Sequence, residues 1–184
     1  MATTDAKGRF KFTVSPGNYV LGFNTFWPPS EKLPYAPIYY PSADSPNGAA
    51  AIEVDDKGRV SNITFRLPRS LAVRTIPVLV TWPDGRSVEN ANVWLSEKHK
   101  PWSVVGTSVS HTQFEGKFDL KGLEGLDYIL FADKYSGLGK VSCAEPVVLT
   151  ASNSAPARIT LVLNVNDFDA CQASRHNVPS KKLE

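Results

Sequence analysis

Apolar and polar residues alternate with period two along most of this chain. Residues 9–14 set Phe10, Phe12 and Val14 on one face and Arg9, Lys11 and Thr13 on the other, the pattern of a half-buried strand. Tyr19, Leu21 and Phe23 continue it. Residues 51–54 and 60–67 read as further strands, the second ended by Pro68. A second series starts near Leu71 and predicts strands over 73–81, 91–95, 104–110, 117–120, 128–132, 146–149 and 158–163. Pro77 restricts its strand to an edge or a bulge. Turn residues punctuate the series at 5–8, 15–18, 55–58 and 82–86. Gly8 can take the left-handed conformation of a bulged hairpin turn, and Pro83 with Gly85 presets another turn. No stretch holds a helical period of useful length. Residues 24–48 are irregular, with six prolines and the aromatics Phe26, Trp27, Tyr35, Tyr39 and Tyr40. A stretch so long and aromatic is expected to be packed or functional, not a linker.

Two stretches of this pattern match each other. TTDAKGRFKFTVSPGNYVLGF (3–23) aligns with HTQFEGKFDLKGLEGLDYILF (111–131). Gly8 falls on Gly116, Phe10 on Phe118 and Phe12 on Leu120; Tyr19 falls on Tyr128 after one inserted residue. Residues 62–67 align with 158–163. The chain therefore carries two copies of one supersecondary unit. Strands over 73–110 precede the second copy, and nothing precedes the first. The expected organisation is a partial β-sandwich unit over 1–68 holding the 24–48 loop, a complete unit over 71–166, and a tail over 167–184. The final Lys181-Lys182-Leu183-Glu184 reads as a residual tag, and the chain is expected to open inside its first sandwich.

Composition narrows the class without naming a ligand. The chain has 184 residues, 42% hydrophobic and 21% charged, with a net charge of +2. So small a charge implies neither a nucleic-acid nor a membrane partner. No apolar run approaches the about 18 residues of a membrane span.

The motifs resemble a known family. WPDGRSVENANVWL, GKFDLKGLEGLDYILFA and ARITLVL are similar to the carboxypeptidase regulatory-like domain. Its usual opening is G-x-P-V-x-G-A-x-V-x-L, its centre T-D-x-x-G-x-F, followed by a G-x-Y strand. Gly85, Val88, Ala91, Val93 and Leu95 fit the opening, with Asn90 where glycine is usual. TQFEGKF (112–118) fits the centre with Gln113 for Asp, and TDAKGRF fits it better in the first copy. The stretch PIYYPSADS followed by AAAIEV resembles a segment of exported bacterial members. The resemblance spans about 150 of the 184 residues. It implies an all-β, antiparallel Greek-key β-sandwich of the transthyretin-like (prealbumin-like, carbohydrate-binding-like) kind, with about seven strands in the complete unit. It also implies an extracellular, cell-surface or periplasmic module that is not an enzyme. Such a module serves as a structural spacer or interaction domain beside neighbouring domains of its own or another protein. The alternative is an accessory module binding carbohydrate or peptide through exposed aromatics. Fold alone cannot choose between them.

No residue pattern points to catalysis, a metal or a cofactor. His99, His111 and His176 are far apart and share no ligand spacing. Nucleophile-elbow, zinc-helix and phosphate-loop motifs are missing. Asp167-Phe168-Asp169 lacks the ordered ligands of a calcium loop, and Asp55, Asp56 and Asp84 sit in turns that favour Asp. A related sandwich locks itself with a Lys–Asn isopeptide bond, but here the first strand of the complete unit carries Arg74 and no Lys. Cys143 and Cys171 flank an expected final hairpin in which the strand near Pro146 runs against the strand ending near Leu163. The export-type resemblance fits an oxidising compartment, so the two are expected to form a disulfide. In residues 91–95, Ala91, Val93 and Leu95 point inward and Trp94 joins Asn92 outside. Ile129 and Phe131 share the outer face of residues 128–132. Three readings follow for Trp94: burial against the first unit or the 24–48 loop, a ligand-stacking surface shared with Trp102, or a slipped register that puts it in the core. Trp27, Tyr39 and Tyr40 complete the interface candidates.

Overall fold

The computed structural model describes residues 1–56, 58–98, 100–105, 114–137, 140–153, 158–165 and 167–176, with the side chains of 99–114 and 174–176 outside that description. Among the described residues the protein is all-β apart from one short helix and two single-turn 3-10 segments. It forms two compact units, Met1–Thr25 with Pro37–Pro68, and Phe26–Ala36 with Arg69–Glu184. Residues 26–36 thus group with the second unit, where the Leu71 N–H donates to the Pro34 carbonyl at 2.7 Å.

The second unit holds two sheets. β5 (Val73–Thr81), β8 (Lys117–Leu123) and β12 (Ile159–Val162) form a three-stranded sheet with β5 in the middle. β8 runs antiparallel to β5 and β12 runs parallel to it. Pro77 precedes the first residue that β12 pairs, Val78, so it sits where β5 has a neighbour on one side only, as its missing N–H requires. The second sheet contains β6 (Asn92–Glu97), β7 (Lys100–Val105), β9 (Asp127–Tyr135), β10 (Val141–Cys143) and β11 (Val147–Thr150). All its pairings are antiparallel, with β10 and β11 both along β9. One core lies between the sheets. Ile76, Val78 and Val80 of β5 meet Val93 and Leu95 of β6, Leu130 of β9 and Leu161 of β12, each no more than 2% exposed. Each such side chain contributes roughly 1.5–3 kcal/mol by leaving water, so the two-residue period of these strands is what holds the sheets face to face.

The expected hairpin between residues 146–149 and 158–163 does not form. β11 pairs with β9, and β12 crosses to the other sheet beside β5. β7 starts and ends earlier than the expected 104–110 strand, of which 106–110 lie outside the described residues. The stretch expected to be tail contains α1 (Phe168–His176). Asp167 caps it: its Oδ1 accepts the Ala170 N–H at 2.9 Å, which satisfies a donor that the first helical turn leaves open.

The first unit contains β1 (Gly17–Tyr19) antiparallel to β4 (Ile52–Val54), and β2 (Gly22–Phe23) antiparallel to β3 (Ile38–Tyr39). Residues 9–14 and 60–67 enter no ladder among the described residues, contrary to their alternation. No described residue of this unit is buried.

The repeat is visible in the hydrogen bonds. Tyr19 pairs with Ile52 as Tyr128 pairs with Leu149. The Tyr19 hydroxyl donates to the Ser15 carbonyl at 2.6 Å, and the Tyr128 hydroxyl accepts the Leu123 N–H at 2.8 Å. Ser15 and Leu123 stand at the same place in the two copies, seven residues after Gly8 and Gly116 respectively. Both copies therefore tie the tyrosine back to the end of the preceding strand segment, as a tyrosine corner does. Asn90, where the resembled pattern has glycine, takes φ 54. Asn is the residue that best tolerates that left-handed conformation after glycine.

Candidate functional site

The outer face of the five-stranded sheet carries the main candidates. Alternation fixes it. Ala91, Val93 and Leu95 enter the core at 0%, 0% and 2% exposure, so Asn92, Trp94 and Ser96 face outward. On β9, Tyr128, Leu130 and Ala132 enter the core, so Ile129, Phe131 and Asp133 face outward. The ladder sets Asn92 opposite Asp133, Trp94 opposite Phe131 and Ser96 opposite Ile129. The slipped-register reading of Trp94 is thereby removed.

This outer face is packed. The Trp94 and Phe131 rings stack with centroids 5.4 Å apart and planes 16° from parallel, a geometry that adds to the burial term. Phe131, Ile129 and Val148 are 7%, 2% and 1% exposed and form one cluster against Trp94, which is half-buried. Beside it, Asn92 Nδ2 donates to Asp133 Oδ1 at 2.8 Å, and Asp133 is 2% exposed. A carboxylate so placed must be hydrogen-bonded, and the amide supplies one of its partners.

Farther along the same face, Cys143 sits opposite Asp133 in the β9–β10 ladder. Cys143 and Cys171 form a disulfide with Cα atoms 5.9 Å apart. Val141, Val165 and both cysteines make a small core there. The backbone of Val165 exchanges hydrogen bonds with Cys143 at 2.8 and 3.2 Å. The bridge therefore fastens α1 to β10, and not one strand of a final hairpin to its neighbour.

The other candidates are scattered. Trp27 and its neighbour Phe26 are 70% and 77% exposed and belong to the second unit. Tyr39 and Tyr40 belong to the first, half-buried, with the Tyr40 ring 6.4 Å from Phe65. Trp102 lies in β7, but its side chain is outside the described residues, as are His99, His111 and the His176 ring.

The charged groups serve local structure. The Arg9 backbone N–H, then the Arg9 side chain, hold the Asp5 carboxyl below its ordinary value. The Arg86 backbone and side chain do the same for Asp84. Both carboxylates thus close turns. Arg74 pairs with Glu124 at 2.8 Å, so the position where the isopeptide sandwich has its lysine holds an ion pair beside a shallow depression lined by Arg69, Ser70, Leu71 and Ala72. Burial pushes the Tyr128 hydroxyl up to about 12. Among the described residues no three His, Cys, Asp or Glu gather as a metal-binding set, and no helix is long and apolar enough to cross a membrane.

Sequence reasoning missed the Asn92–Asp133 pair, β10 and α1. The pair had a partial signal: Asn92 occupies an outward position of the expected strand 91–95, and Asp133 follows the expected strand 128–132 by one residue, on the side of Ile129 and Phe131 if the alternation continues. α1 had one in Asp167 followed by the helix-favouring residues of ACQAS (170–174). Comparison with protein-family models, curated proteins and solved structures yields no match to this chain.

Proposed function

We propose that this chain is a non-catalytic β-sandwich module of an exported protein, of the carboxypeptidase regulatory-like, Greek-key kind, acting as a structural spacer or interaction domain. The observation that carries this reading is the stack of Trp94 on Phe131 within a buried cluster. An aromatic that binds a sugar must offer its face to solvent, whereas here the ring is engaged in packing. The disulfide supports the exported setting, because such bonds persist in oxidising compartments. A second reading, an accessory module for glycan or peptide, is favoured by the adjacent exposed rings of Phe26 and Trp27.

Retention on a panel of immobilised polysaccharides separates the two. The spacer reading expects the wild-type chain to elute unretarded. Retention abolished by Trp94→Ala at unchanged folding would overturn the packing argument. Retention abolished by Trp27→Ala would establish the second reading instead.

A further inference from the structure

The outermost strands of the second unit in chain order lie side by side and point the same way. β5 follows the entry of the chain at Arg69, and β12 is the last strand among the described residues. They pair in parallel, from Ile159 with Val78 to Val162 with Thr81. The Leu163 N–H continues the ladder to the Thr81 carbonyl at 2.9 Å. The chain therefore enters β5 at Val73 and leaves β12 at the opposite end, beside Thr81. The nine residues of β5 set these ends roughly 27 Å apart at the usual strand rise.

Tension between these ends draws the two strands past each other and does not peel them apart. The hydrogen bonds of a parallel ladder are evenly spaced along the strands, so they take the strain together. Side chains add to the grip. Ile76, Val78 and Val80 of β5, Ile159 and Leu161 of β12, and Leu163 beyond it are all buried in one core, and close packing lets none of them slide without displacing its neighbours. On its other side β5 is held antiparallel by β8.

The disulfide decides which strand receives the tension. Val165 exchanges backbone hydrogen bonds with Cys143, so Cys143 stands at the Thr81 end of the sandwich. Tension arriving from beyond Cys171 crosses the bridge to Cys143 and leaves residues 144–170, β12 included, off its path. β12 then cannot be stripped away alone. Once the three pairs of β10 open, either β5 slips past β8 and β12 together, seven pairs and four, or β9 slips past β6 and β11, six pairs and four. With the bridge open, tension reaches β12 directly, and only its four pairs with β5 and the Leu163 bond oppose it. We propose that the second unit is a shear clamp that resists tension along the chain, and that the Cys143–Cys171 bridge strengthens it by redirecting that tension away from β12. This inference rests on the spacer reading, yet it is read by extension under force and not by polysaccharide retention, so either can fail alone.

The test stretches single molecules of the full chain at constant force in two geometries. One pulls between the two chain ends. The other pulls between the first residue and an azide-bearing residue in place of Glu124, whose N–H bonds to the Ala72 carbonyl at the entry to β5. The second geometry unzips β5 from β8 pair by pair and leaves the bridge off the path. At equal force, the second unit is expected to open at least about tenfold more slowly end to end than by unzipping. Reduction by dithiothreitol should speed end-to-end opening by about tenfold or more and unzipping by clearly less. It should also lengthen the end-to-end opening by about 90 Å, the reach of the 28 residues that the bridge closes off. A Cys143→Ser, Cys171→Ser variant should match the reduced protein in all three respects. Equal opening rates in the two geometries would overturn the proposal. So would an equal acceleration by reduction in both, since the bridge would then act through stability alone.

Discussion

Gly8 and Gly116 hold the same place in the two copies and the same backbone, with φ 73 and φ 68. Their surroundings differ. A Cβ on Gly8 would meet nothing within 4 Å, whereas one on Gly116 would lie 2.5 Å from the Val80 carbonyl oxygen and 3.1 Å from the Val88 nitrogen. Those are backbone atoms that bond to each other at 2.9 Å, so neither can withdraw cheaply. Gly8→Ala should therefore cost only the left-handed strain, about 1 kcal/mol, and leave the second unit's midpoint in place. Gly116→Ala adds the clash and should destabilise the second unit by about 3 kcal/mol. Urea denaturation followed by tryptophan fluorescence checks both. Equal effects would mean that strain alone decides, and the close approach to Val80 would lose its meaning.

At the scale of elements, α1 depends on the bridge that holds it. It has nine residues, and an isolated helix below about 12 residues is marginal in water. Its anchor is Cys171, 1% exposed and bonded to Cys143 across 28 residues of sequence. Closing a loop of that length stabilises by roughly 3–4 kcal/mol in the chain-entropy model. Cys171→Ser should lower the second unit's stability by about 3 kcal/mol and release the amides of α1 to fast exchange, while those of β5 and β9 keep their protection at low denaturant. Unchanged helix exchange in the variant would show that Asp167 and the Val165–Cys143 hydrogen bonds hold α1 without the sulfur link.

The whole molecule joins a unit with a dense core to one in which no described residue is buried. Every described residue below 2% exposure belongs to the second unit. In the first unit Val20 and Val60 are 49% and 45% exposed, and its ladders span two or three residues per strand. Local stability follows buried apolar contact and protected backbone hydrogen bonds. Amides of β1 and β4 should therefore exchange at least about a hundredfold faster than those of β5, β8 and β9, and heating should give two transitions, the first unit's at lower temperature. A single transition with uniform protection would contradict this account.

The period-two pattern by itself determined an all-β class and the inward and outward residues of β6 and of residues 128–132 in β9, because alternation is a property of each strand alone. It also placed Trp94, Ile129 and Phe131 on one face before any partner strand was known, and it showed the repeat, whose tyrosines bond to backbone groups at matching positions, Tyr19 as donor and Tyr128 as acceptor. Only tertiary structure decided which strands pair. Residues 9–14 alternate as cleanly as 117–120, yet they form no ladder, since a strand needs a neighbour and the neighbour of β8 is β5. β12 lies parallel to β5, not against β11, a choice made by burial of Ile159 and Leu161 in the common core and invisible in either strand's sequence. The bridge between Cys143 and Cys171 was legible as a pair of cysteines; that it fastens a helix to a sheet was not, because nine residues of helix carry too little local preference to declare themselves without the surface they cover.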